Sequence, residues 1–154
     1  MKLTHKIILE ALNYLETSAM GGECTSLTSA LKYCLIPTGQ IVIGVNTYLY
    51  ERKNRFVGHA AIKWEGRLYH GDGVIEPENL RSWGMLDPED ETWQEMSGLS
   101  KKEWSYKCDE AKLYKVTEDD LFGLRCIEDS MVSHFEGLIN EFISSNYPDL
   151  KITQ

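Results

Sequence analysis

The chain has 154 residues, 42% hydrophobic and 26% charged, which places it among globular proteins rather than disordered or fibrous ones. Sixteen Lys and Arg stand against 24 Asp and Glu, a net charge of −8. A surface of that sign repels phosphate backbones, so nucleic acid is not an expected partner. No apolar run is long enough to span a bilayer, so no membrane is expected either.

The N-terminal stretch MKLTHKIILEALNYLETS is interrupted by Glu10, Asn13 and Glu16, which a signal-peptide core does not tolerate. The expectation is a cytoplasmic protein whose four cysteines, Cys24, Cys34, Cys108 and Cys126, stay reduced. None of them forms a CxxC pair, so neither a zinc knuckle nor another cofactor is expected. The length suits one domain over residues 1–154.

Leu3 to Thr17 reads as an amphipathic helix, with Leu3, Ile7, Ile8, Ala11, Leu12 and Leu15 at helical spacing. Small residues and the Gly21–Gly22 pair break it. A second helix begins at Cys24 or just before it, carries Leu27, Ala30, Leu31 and Leu35 on one face, and stops before Pro37 and Gly39. QIVIGVNTYLYE, Gln40 to Glu51, is rich in β-branched and aromatic residues and reads as one strand, bent at Gly44. VGHAAIKW and RLYHGDG, joined at Glu65–Gly66, read as a hairpin.

Val74 to Ser100 is expected to be irregular apart from a short helix at Pro77–Trp83. Its DPEDE run reads as a solvated loop. AKLYKV, Ala111 to Val116, is a further strand. Thr117 then caps a single long helix whose stripe is Leu124, Ile127, Met131, Phe135, Leu138 and Phe142, ended by Pro148. The stripe reads as core, with a homodimer seam as the alternative use. Helices segregated from sequential, hence antiparallel, strands define an α+β fold.

Three residues form a candidate constellation. Cys24 opens a helix, where the dipole and a nearby imidazolium lower a thiol pKa. His59 sits near the start of a strand and can take the thiol proton and return it to a leaving group. Counted outward from the turn at Gly66, Asp72 falls opposite His59 and can orient it. His70, in the same YHGDG segment, competes for that place. Gly21 and Gly22 leave room for a substrate and free amides for an oxyanion. Cys24, His59, His70 and Asp72 could also hold zinc, but no two have the close spacing of a ligand pair, so no metal is expected. Cys34, Cys108 and Cys126 read as packing residues, and His5 and His134 as solvent-facing.

Cys24 at a helix start followed by GHAAIKWEGRLYHGDG resembles the Cys-His-Asp core of the papain-like and transglutaminase-like superfamily, over about a third of the chain, Glu23 to Gly73. The resemblance implies N-terminal helices on a small antiparallel sheet, and a small member from a bacterium or a phage. It implies thiol chemistry on an amide: hydrolysis of a peptide or isopeptide, deamidation of a glutamine side chain, or acyl transfer. A peptide or protein would be the substrate. The glutamine that papain-like proteases carry before the cysteine is absent from Glu10 to Glu23, which leaves Gly21, Gly22 and the Cys24 amide for the oxyanion. The competing reading is a catalytically inactive binding module of the same fold.

Overall fold

The structure, a computed structural model, describes residues 1–15, 23–52, 58–123 and 127–152. The chain order is α1 (His5–Tyr14), α2 (Cys24–Cys34), β1 (Gln40–Asn46), α3 (Thr47–Glu51), β2 (Gly58–Trp64), β3 (Arg67–His70), β4 (Gly73–Val74) and α4 (Pro77–Ser82). Then follow α5 (Glu91–Ser97), α6 (Lys101–Lys107), β5 (Ala111–Val116), α7 (Glu118–Gly123) and α8 (Asp129–Asn146). The five strands form one antiparallel sheet in the order β4-β3-β2-β1-β5. The α+β expectation is met at that level.

α2 is the central helix. Cys24 to Leu31 are all buried, because one side of the helix meets β2 and the other meets α8. Its apolar face, Leu27, Ala30 and Leu31, shares a core with Ile8, Ala11 and Leu12 of α1, Ile62 and Tyr69 of the sheet, and Phe135, Ile139 and Phe142 of α8. Its small polar residues are buried with partners, as burial demands. The Thr28 hydroxyl donates to the Cys24 carbonyl at 2.7 Å, the Ser29 hydroxyl donates to Glu118 at 3.1 Å, and the Ser26 oxygen accepts from the Glu128 amide at 3.1 Å. These last two bonds fix α2 against α7 and the start of α8.

Four expectations need correction. The strand read as Gln40 to Glu51 ends at Asn46, and Thr47 to Glu51 is helical. Asn46, fully buried, is the reason: its Oδ1 caps Leu49 N at 3.1 Å, while its Nδ2 donates to the carbonyls of Lys107 and Cys108. The region expected to be irregular holds α5 before Ser100, with α6 immediately after it. Asp90 caps α5, Gly98 ends it in the left-handed region, and Ser100 with Glu103 makes a capping box at α6.

The third correction concerns the C-terminal helix. Thr117 does cap, accepting from the Asp120 amide at 3.2 Å, but it caps only α7, and α8 starts separately at Asp129. Leu124 and Cys126 of the expected stretch lie outside the described residues. In α8, Phe135 and Phe142 are buried against α1 and α2, so that part of the stripe is used inside the subunit rather than left open as a dimer seam. The fourth is His5. It does not simply face solvent, because its Nδ1 bonds the buried Tyr69 hydroxyl and its ring meets Trp64 edge-on at 5.0 Å, which ties α1 to the β2–β3 hairpin.

No helix among the described residues is long and apolar enough to cross a membrane.

Two glycines seat α4 on the opposite face of the sheet from α2. A Cβ at Gly44 would stand 1.9 Å from the Leu80 carbonyl oxygen, and one at Gly84 would stand 2.2 Å from the Val45 carbonyl carbon. The backbones of β1 and α4 therefore touch directly, and Leu80 is buried on Val42 and Ala61. Trp83, at the C-cap of α4, is carried by this docking to the start of β2.

Candidate functional site

The pleat of β2 sorts its side chains between the two faces. Ala60 and Ile62 pack towards α2, while Ala61 packs with Val42, Leu68 and Leu80 under α4. His59 shares the face of Ala61. Its ring stacks on Trp83 with centroids 4.6 Å apart and an interplanar angle of 22°. It is 2% exposed.

The group that holds His59 is His70, not Asp72. His59 Nε2 lies 2.9 Å from His70 Nδ1, with the rings nearly perpendicular. The β2–β3 register, continued past its last pairs, would set Asp72 opposite His59. But β3 ends at His70, and Asp72 sits exposed in the turn before β4. Its carboxylate acts on both imidazoles through space, favouring their charged forms.

Cys24 arrives from the other face. Its thiol is buried with Ile41, Ile43, Val45 and Ala60. The backbone amides of Ala60, Thr25 and Cys24 itself favour its thiolate. The Ala60 amide is available because β3 stops one residue short of pairing with it. The other two belong to the first turn of α2, which has no side-chain cap. The structure thus brings His59 to His70 on one face of β2 and sets Cys24 against the other face, beside the backbone of Ala60. Among the described residues no hydrogen bond joins the Cys24 sulfur to either ring. Gly21 and Gly22 lie outside the described residues.

Burial sets the resting protonation. It pushes the Cys24 thiol above its ordinary value, with the three amides opposing and Glu23 adding to the rise. Burial first, and repulsion from His70 second, bring His59 down to about 4, against the pull of Asp72. Burial also lowers His70. Near neutral pH the thiol and both imidazoles are therefore uncharged. One ring donates to the other, an arrangement that double protonation breaks.

Folding stability should follow. The unfolded chain protonates His59 near 6.5 and the folded chain only near 4. Between those values the unfolded state holds more protons, so stability falls as pH falls, by up to about 1.4 kcal/mol per pH unit for this group. Urea unfolding at pH 7.0, 6.0 and 5.0 reads this above most carboxylate titration. A flat profile for the wild type, or one no steeper than that of His59→Phe, contradicts the assignment.

The other cysteines are placed differently. Cys34, half-buried beside Glu136, is pushed up to about 12, chiefly by burial. Cys108 is buried beneath α6 with Leu49 and Trp104. No group of three or more His, Cys, Asp or Glu that could hold a metal occurs among the described residues. The role of Trp83 escaped sequence reading because it depends on the docking of α4. His70 carried a signal, a second histidine at the end of the hairpin partner.

No protein-family model, curated protein or solved structure matches the chain.

Proposed function

We propose that the protein is a thiol hydrolase or acyltransferase acting on an amide, on a papain-like or transglutaminase-like core. Cys24 is the nucleophile, His59 the acid and base, and His70 the group that orients His59. The observation that carries this reading is the adjacency of two features along β2. A helix-start sulfur, its thiolate favoured by three amides, packs on Ala60, and the preceding residue is a histidine held by a second histidine.

If His59 Nε2–H donates to His70, the Nδ1 lone pair of His59 is left to accept the thiol proton. The sulfur then attacks the amide carbonyl. Amides at the start of α2 take the oxyanion, and the imidazolium, favoured by Asp72, protonates the leaving amine. A thioester on Cys24 remains, for water or an acceptor amine to resolve. A rotation of the Cys24 side chain towards His59 is required before attack.

A second reading, an inactive binding module, is favoured by the missing sulfur–imidazole bond and by the Trp83 ring over His59. An acyloxymethyl ketone probe separates the two, with Cys24 and Cys34 labelling followed by peptide mass spectrometry. The enzyme reading expects Cys24 to be labelled faster than Cys34, and His59→Ala to slow Cys24 alone by about 100-fold or more. Equal rates at Cys24 in wild type and His59→Ala would leave only the binding module.

A further inference from the structure

We infer that the α4 side of the sheet, at the end away from His59, binds the anion of an aliphatic carboxylic acid. A groove of about 380 Å³ opens there, on a floor that includes Val42, Leu68, Ile75 and Leu113. That volume belongs to small-ligand pockets and is too small for a folded partner.

Two lysines border the floor. Lys63 is registered against Leu68 of β3, and Lys115 against Val42 of β1, so the pleat turns both lysines to the same face as those apolar side chains. β1 lies between their strands, and the two stand opposite Gln40 and Val42, two residues apart along it, which sets them about 12 Å apart across the sheet. Flexible lysine side chains can close that span on one carboxylate. Both are exposed, and neither has an ion pair among the described residues.

The surroundings make this a local exception. The chain carries −8 overall, yet the groove's border holds the two lysines against a single lining carboxylate, Glu76. The floor is the side-chain face of the sheet, and β1 and β2 beneath it are paired on both edges. An extended peptide would find few backbone partners on it. An alkyl chain needs none, and its carboxylate finds the two ammonium groups.

This site is independent of Cys24 chemistry and is tested without it. Full-length protein is titrated calorimetrically with decanoate and with decyltrimethylammonium, each below its micelle concentration. Decanoate is expected to bind at one site with a Kd on the order of 10–100 μM. The ammonium is expected to bind at least about tenfold more weakly, and Lys63→Gln/Lys115→Gln to weaken decanoate about tenfold while circular dichroism stays unchanged. Equal affinity for the two amphiphiles, or undiminished decanoate binding by the double variant, overturns the assignment. So does an absence of decanoate binding up to about 1 mM, and so does a glutamate-rich hexapeptide that binds where decanoate does not.

Discussion

Gly44→Ala is expected to lower stability by about 3 kcal/mol or more, a fall of roughly 6–12 °C in Tm for a domain of this size. The new methyl carbon would stand 1.9 Å from the Leu80 carbonyl oxygen and 2.6 Å from its carbon. Both are backbone atoms, so no side-chain rotation relieves the clash. β1 is a central strand paired on both edges, and it cannot retreat without loosening β2 or β5. α4 must lift instead, and it carries Leu80 off Val42 and Ala61 and Trp83 off His59. Gly137→Ala is the control. It sits in α8 with nothing within 4 Å of its Cβ, and should gain about 0.5–1 kcal/mol from helix propensity. Thermal unfolding of the two variants reads both effects. A Gly44→Ala midpoint within about 2 °C of wild type would contradict direct β1–α4 backbone contact.

The docking of α4 shows where the sequence stops being readable. The β2–β3 hairpin was legible because its signals are local. Alternating residues flank Glu65–Gly66, and both turn residues adopt positive φ, 45° and 82°. α1, α2 and β5 were legible from their residue patterns, and the end of α2 from Pro37 and Gly39. α3 reads as the end of a strand, and α5 and α6 go unread, although their caps, Asn46, Asp90 and Ser100 with Glu103, are equally local. Three short helices without a long apolar stripe give periodicity little to detect.

The site divides in the same way. Cys24 and His59 could be picked out because one opens a helix and the other opens a strand. The partner of His59 could not be fixed, since hairpin counting gives register but not where the partner strand ends. β3 stops at His70, which turns the expected Asp72 contact into a histidine pair and frees the Ala60 amide for the Cys24 sulfur. Which face His59 takes also depends on parity from Gly58, and its cover, Trp83, comes from a helix docked through two glycines.

The histidine pair yields the sharpest test of the proposed chemistry. The readout is the rate of Cys24 labelling by the acyloxymethyl ketone, and turnover once an amide substrate is found. His59→Ala removes the only proton acceptor assigned to the thiol and should cost 10²–10⁴-fold in that rate, the range of general acid–base catalysis, so about 100-fold at the least. His70→Ala leaves His59 in place but unheld, free to take the wrong tautomer or ring orientation. It should cost about 10–100-fold, with part of the loss recovered in His70→Asn, whose side-chain oxygen can accept from Nε2–H. Asp72→Asn keeps both rings and removes only a through-space charge, so its loss should stay within about tenfold. It should also shift the acid limb of the pH–rate profile downwards, because that carboxylate favours the imidazolium. The order His59 over His70 over Asp72 is what the geometry requires. If Asp72→Asn costs more than His70→Ala while both remain folded, the carboxylate rather than the second imidazole orients the base, and the turn after β3 must close on His59 during the reaction.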